Sequence, residues 1–293
     1  SRERGSFETA AGGQVMSQAA ALEARLAAVL RAIGPSVVAV SGGVDSMTLA
    51  HVAARTLGPA AGMVHAVSPA VPAAATQRVR AHGARFNWRL TCTEAGEFSD
   101  PDYLKNPVNR CYFCKNNLYD RIKSEAGAAT MLSGANLDDL GDYRPGLRAA
   151  AEQAVRHPYI EAAMDKAAVR VLAGHLGLHD IADLPAQPCL ASRVETGIAI
   201  DAGDLAFIEQ VEAWLTGRLG AVTLRCRITG AGVRVELGAA ATASLAGRDV
   251  EIADQLAALC AGAGRHFAGL GPYRRGSAFI GAPAPVSRVP RPD

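Results

Sequence analysis

The 293-residue chain has only six cysteines, no run of basic residues and no apolar run of membrane-spanning length. Each absence excludes a class of protein. Six cysteines in a chain this long are too few for a disulfide-stapled secreted scaffold, so the expected compartment is the reducing cytosol, where a Cys-x-x-Cys points to a metal or redox role. Lys and Arg total 30 against 28 Asp and Glu, a formal charge of +2, and the basic residues come in small groups (Arg78/Arg80, Arg225/Arg227, Arg274/Arg275). That pattern argues against a nucleic-acid-binding surface and leaves room for local anion pockets. Without an apolar stretch of roughly 20 residues, no membrane-spanning helix is expected. The opening SRERGSFETAAGGQ has no initiator Met, apolar h-region or small-residue cleavage pattern. It is expected to be a disordered or tag-trimmed lead over 1–16.

What is present is a composition ordinary for a globular protein, 49% hydrophobic and 20% charged. Helical spacing of apolar residues predicts a helix over 17–33. Short apolar runs at 36–40, 61–67, more weakly 86–92, and 129–134 alternate with helical stretches, the signature of a parallel α/β sheet. Beyond about residue 160 the pattern changes to helices near 165–176, 203–219 and 248–260, with two strands, VTLRCRI and VRVEL, joined by TGAG. The expected organisation is an α/β unit over 17–160, a smaller α+β unit with a β-hairpin over 161–280, and a Pro-rich disordered tail over 281–293.

The chemistry starts at SVVAVSGGVDS. A strand that feeds a Gly-rich turn opening a helix presents free backbone N–H groups to an anion, and the glycines let the backbone approach it. SGGVDS is neither a GxxxxGK[ST] loop nor a GxGxxG fingerprint, and it contains no lysine. Ser41, Gly42, Gly43 and Ser46 would cradle phosphate. Asp45, a carboxylate in an anion cradle, requires an intervening Mg²⁺. The alternative is a plain βα turn capped by Asp45 and Ser46. The full hexapeptide, placed directly after a strand, resembles the PP-loop of the ATP pyrophosphatase superfamily. That resemblance implies an adenine nucleotide alpha hydrolase-like parallel sheet, ATP bound at the first βα turn, cleavage between the α and β phosphates, and an adenylated acceptor.

Cys111 and Cys114 form a C-x-x-C, and Cys189 stands in PCLASR. Cys92, Cys226 and Cys260 read as small buried hydrophobes. The C-x-x-C follows a loop and precedes a helix beginning at KNNLYDRI. It admits half a zinc site, a redox pair or a corner of an iron–sulfur cluster. No second C-x-x-C completes a zinc site. Three thiolates could instead hold a 4Fe-4S cluster with one iron left open.

NRCYFCKNNLYDRI, LSGANLDDLGDYRPGL, EAAMDKAAVRVLAGHLGL and LPAQPCLASR, with SGGVDS and the RCR…VEL region, together resemble the LarE family of ATP-dependent sulfur transferases over residues 20–240. The resemblance implies thiolation of pyridinium-3,5-biscarboxylate mononucleotide, the precursor of the nickel-pincer nucleotide. Cys111, Cys114 and Cys189 would hold a 4Fe-4S cluster carrying the transferable sulfide; the alternative is a sacrificial Cys189. Gly134 and Asn136 would flank the adenosine, Asp138, Asp139 and Asp142 would position metal or substrate, and Arg144, Arg193, Arg225 and Arg227 would contact substrate. Glu236 would join Asp45 as a metal ligand. The family's further acidic position is Ser244 here, and its Pro-Tyr-Gly turn is VETGIAI at 194–200. The implied partners are a small-molecule nucleotide substrate, an upstream carboxylase, a downstream nickel-insertion enzyme and further copies of the chain in a homo-oligomer, with no nucleic acid or membrane. Two rival readings are a tRNA-thiolating PP-loop enzyme and a zinc-stabilised nucleotide-binding protein without turnover.

Overall fold

The computed structural model describes residues 3–141 and 145–280. Asp142, Arg144 and the tail expected over 281–293 lie outside them. Four parallel strands, β1 (Ser36–Ala39), β2 (Ala61–Ala66), β3 (Arg89–Thr93) and β4 (Thr130–Leu132), form one sheet in the spatial order β3-β2-β1-β4. Val38 of β1 sits between Met63 and Leu132 in register. The inner strands are short and apolar because a parallel sheet is covered on both faces. Among the described residues, seven helices have ten or more residues: α1 (Glu3–Ile33), α2 (Val44–Leu57), α3 (Ala73–Arg85), α4 (Arg110–Ala126), α5 (Lys166–His175), α6 (Ala202–Leu219) and α7 (Asp249–Gly262). The helix expected over 17–33 thus starts upstream at Glu3 and includes the stretch read as a lead.

The first core packs Leu26 and Leu30 of α1, Met47, Leu49 and Val52 of α2, and Val169 and Leu172 of α5 with Val38, Met63 and Leu132 of the sheet. Residues from Met164 to Ala182 belong to this core. They therefore pack with the N-terminal layer although they follow residue 160. The chain builds outward from β1 to β3 and then returns to place β4 on the other side of β1. That reversal opens a crevice at the carboxyl ends of β1 and β4, where open α/β sheets bind ligands.

A second sheet has the order β5-β6-β7, with β5 (Leu224–Thr229) antiparallel to β6 (Gly232–Leu237) and β7 (Phe267–Pro272) parallel to β6. The expected hairpin is present, and β7 is an addition. Its sequence, FAGLGP, carries two glycines and a proline, so propensity argues against a strand and pairing with β6 makes it one. The core beneath this sheet contains Ile208, Val211 and Leu215 of α6, Cys226, Val235, Leu256 and Cys260. It also takes in Ala70, Tyr103 and Leu190 from connecting segments, with Cys114 and Cys189 at its margin.

Two sequence expectations are corrected. Cys226 and Cys260 are buried, whereas Cys92 is exposed, because β3 is an edge strand with one side open. The helix expected to begin at KNNLYDRI begins five residues earlier at Arg110, so Cys111 and Cys114 lie inside its first two turns. At i, i+3 they share one helix face. Among the described residues, no helix is long and apolar enough to cross a membrane.

Candidate functional site

The turn after β1 is shaped by close approach. Gly42 has φ +83°, and a Cβ there would meet Ala75 of α3 at 3.0 Å, so this position demands glycine twice over. Ser46 Oγ accepts the Ser41 N–H at 3.0 Å and lies 3.1 Å from Ser41 Oγ, closing the turn on itself. Gly43, the N-cap of α2, makes no side-chain cap, so the leading amides of α2 are left to the turn and whatever it binds. Arg78 reaches over from α3 and donates to the Gly42 carbonyl at 2.8 Å.

Asp45 is the hub. Lys166 Nζ donates to its Oδ2 at 2.5 Å and Asn136 Nδ2 to its Oδ1 at 3.2 Å, while the buried Tyr159 hydroxyl donates to its carbonyl at 2.9 Å. The lysine absent from SGGVDS therefore arrives from the first residue of α5. Lys166 carries one signal in the sequence: a cation at a helix N-terminus opposes the helix dipole. Asp165 caps the same helix through the Ala168 N–H at 2.8 Å. Gly134, after β4, presses on this turn, with a Cβ position 2.9 Å from Ser46 N. Asp138 and Asp139 serve loop geometry here: Asp138 accepts the Lys166 N–H at 3.2 Å and Asp139 the Asn136 N–H at 3.0 Å. A hollow of about 390 Å³ opens at the carboxyl end of β2, lined by Val67, Ser68, Thr76, Arg80 and Glu209 among others. Neither this hollow nor a larger one of about 610 Å³, lined by Trp214 and Arg218, includes any of the expected site residues.

The three expected cysteines converge. Cys111 and Cys114 project from α4, and Cys189 precedes the short 3₁₀ turn Leu190–Arg193. All three act electrostatically on Lys115, and Cys114 feels both of the others. Burial, reinforced by Cys189, pushes the Cys114 thiol up to about 12. Such a thiol is protonated at neutral pH and becomes a ligand only when a metal takes the proton's place. In donor chemistry the three suit a thiolate-ligated group, with Lys115 to offset its negative charge. They are not drawn in to ligand spacing: among the described residues no three His, Cys, Asp or Glu side chains are grouped to hold a metal ion.

What gathers them is main-chain and amide bonding between distant segments. Buried Asn106, at φ +51°, donates to the carbonyls of Glu195 at 2.8 Å and Ile198 at 2.9 Å, and Arg110 donates to its Oδ1. Leu190 N–H donates to Ala70 O at 2.8 Å, tying the Cys189 segment to the residues after β2. Arg193, expected to contact substrate, is 4% exposed and fully engaged. It makes a bidentate pair with Glu212 at 3.0 and 2.9 Å and donates to the Pro188 and Cys189 carbonyls at 2.6 and 3.0 Å. It holds the Cys189 main chain in place.

Arg225 and Arg227 share a strand face as their i, i+2 spacing requires, but their environments differ. Arg227 is buried, donating to Glu236 Oε2 and the Ser192 carbonyl, each at 3.0 Å. Glu236, expected as a metal ligand, also accepts from Ser277 at 3.0 Å. Arg225 is half-buried over the Tyr273 ring, and burial together with Arg193 and Arg227 lowers its pKa. An anion placed there would relieve that crowding. Ser244 is exposed on a short helix and donates to the Ala240 carbonyl at 3.0 Å.

No family model matches the chain. Three characterised or hypothetical proteins are similar to it. An uncharacterized protein of Synechocystis is 38% identical over 69% of this chain and 76% of its own length. The pyridinium-3,5-bisthiocarboxylic acid mononucleotide synthase of Lactiplantibacillus plantarum is 30% identical over 76% of this chain and 81% of its own. An uncharacterized protein of Methanocaldococcus jannaschii is 25% identical over 64% and 73%.

Proposed function

The chain belongs to the LarE family, that of the pyridinium-3,5-bisthiocarboxylic acid mononucleotide synthase, and from this premise we propose that it is an ATP-dependent sulfur transferase of the three-cysteine type. What supports the reading is that Cys189 comes into the neighbourhood of Cys111 and Cys114, far from it in sequence, on a fold whose first βα turn leaves helix-start amides open to an anion. In this reading the parallel sheet is a PP-loop sheet, ATP lies across Ser41–Ser46, and Gly134 and Asn136, which lie against that turn, flank the adenosine. Asp45 would hold the magnesium that accompanies ATP, and Lys166 turns from Asp45 to the phosphates. A carboxylate of the substrate, pyridinium-3,5-biscarboxylic acid mononucleotide, attacks the α-phosphorus. Pyrophosphate departs, leaving an acyl-adenylate. Backbone N–H groups and Lys166 offset the charge that develops on the phosphates.

Arg225 meets the substrate phosphate, while Arg193 and Arg227 act behind it by fixing the Cys189 segment and the strand. Cys111, Cys114 and Cys189 would hold the iron–sulfur cluster, which when bound supplies a transferable sulfide. Transfer of that sulfur to the acyl carbon, with AMP as the leaving group, would give a thiocarboxylate.

The test uses protein purified without oxygen and supplied with ATP, Mg²⁺, substrate and sulfide. Pyrophosphate release that depends on substrate, a brown iron-containing protein and more than one thiocarboxylate per chain are expected. A single turnover with loss of hydrogen sulfide mass from Cys189 would assign the sacrificial route instead. Zinc without iron, or no pyrophosphate release, would sink the proposal.

A further inference from the structure

Beside the thiols lies a set of polar atoms that neither fold nor mechanism uses. Glu97, Tyr103 and Arg110 are 3%, 1% and 2% exposed. Glu97 Oε2, the Tyr103 hydroxyl and Arg110 Nη2 are buried without a hydrogen-bond partner. Buried polar groups are ordinarily satisfied, so three such atoms in one neighbourhood mark a place built for something else. Their arrangement centres on Tyr103, which interacts electrostatically with Cys189, Cys114, Arg110 and Glu97 and packs in the same core as the two cysteines. Arg110 is anchored by its other nitrogen to Asn106, so its free end has a fixed position.

The three loose ends comprise two donors and one acceptor. Hydrosulfide has the complementary set: a sulfur anion that accepts and one S–H that donates. The formal charges of Arg110 and Glu97 cancel, and Lys115, in the same field as the three thiols, supplies a positive charge for an entering anion. We propose that Glu97, Tyr103 and Arg110 form a receptor for hydrosulfide, holding the incoming sulfur next to Cys114 and Cys189. The Tyr103 hydroxyl and Arg110 Nη2 donate to the sulfur, and Glu97 Oε2 accepts its S–H. The inference rests on the sulfur-transfer reading and adds to it the place where replacement sulfur waits.

The experiment is equilibrium dialysis of the full-length protein, purified without oxygen, against radiolabelled sodium hydrosulfide, with no ATP present. Tyr103→Phe and Glu97→Gln keep side-chain volume while each removes one hydrogen-bonding function. Each is expected to weaken hydrosulfide binding at least tenfold and to raise the sulfide KM of thiocarboxylate formation more than it lowers kcat. Variants that bind hydrosulfide as tightly as wild type would overturn the receptor, as would a fall in melting temperature with no change in sulfide KM, the result expected if a structural water fills the gap. Should one variant fail to fold, the other decides. Substrate-dependent ATP–pyrophosphate exchange by wild type separates the two ideas. If exchange is absent, the parent reading fails; exchange present with hydrosulfide binding indifferent to both substitutions defeats the receptor alone.

Discussion

Replacing Gly134 by alanine adds one methyl group at the point where β4 meets the start of α2. That methyl would lie 2.9 Å from Ser46 N, 3.0 Å from Asp45 C and 3.1 Å from Ser46 Cα, all main-chain atoms. Gly134 is not among the residues with positive φ, so alanine suits the backbone conformation and the cost is steric alone. Ordinary Cβ contacts begin at 3.4 Å, so the turn must retreat by roughly half an ångström. It has little freedom to do so, because Tyr159, Asn136 and Lys166 all hold Asp45 and the first turns of α2 are buried. Overpacking of this kind costs about 1–3 kcal/mol, which for a chain of this size lowers Tm by roughly 2–5 °C. The displaced part is the proposed phosphate cradle itself, so ATP affinity should fall about tenfold or more, equivalent to about 1.4 kcal/mol. Gly174→Ala is the control: its added Cβ meets nothing within 4 Å inside α5, and it should stabilise by about 0.5–1 kcal/mol. Thermal melts with and without Mg·ATP read both effects. If Gly134→Ala melts with wild type and shows the same ATP-induced shift, the contact does not shape the site and the reasoning fails.

Lys166→Met should separate function from stability. The Lys166–Asp45 pair is 33% and 26% exposed, so its loss costs at most about 1 kcal/mol, whereas ATP affinity should drop tenfold; an unchanged Kd by titration calorimetry would remove Lys166 from the nucleotide site. Arg227→Gln strands the carboxylate of Glu236 in a buried position and should cost about 3–5 kcal/mol in urea unfolding. Arg225→Gln should cost under about 1 kcal/mol and act on substrate KM; equal stability losses would contradict the buried-pair assignment. Acid should destabilise the fold between about pH 6.5 and 4 through His51. Burial, with Arg55, His82 and Arg85 nearby, pushes its imidazole down to about 4. The unfolded chain takes up that proton near pH 6.5 and the native chain does not, so stability is full above pH 6.5 and falls as pH drops, by at most about 3 kcal/mol. His51→Leu should flatten urea midpoints across that window. A slope unchanged in this variant would assign the loss to other groups, His65 and His157 among them, whose pKa values burial also lowers.

Local pattern was enough for much of the molecule. Buried parallel strands announce themselves as short apolar runs, so 36–40, 61–67 and 129–134 matched β1, β2 and β4 to within two residues. The strand-to-helix turn at SGGVDS was legible because its parts are contiguous: strand, glycines and helix start adjoin in the chain. β7 was not legible, since Gly-rich FAGLGP becomes a strand only through its partner β6. Nor was the exposure of Cys92, which depends on β3 being an edge.

The amino-acid sequence by itself determined which reactive groups are available: a Gly-rich strand-to-helix turn that carries a carboxylate, and a Cys-x-x-Cys pair with a third cysteine far along the chain. Tertiary structure alone decided which groups meet. It brought Lys166 to Asp45 across 121 residues and fastened the loop at Asn106 to the segment after Cys189. It also gave Arg225 and Arg227, neighbours on one strand face, different surroundings, leaving the first half-buried over Tyr273 and burying the second against Glu236. Side-chain pairing depends on distances through space that spacing along the chain does not encode. Helix and strand periods reveal which face a residue occupies, and only the packing of those faces reveals what stands opposite.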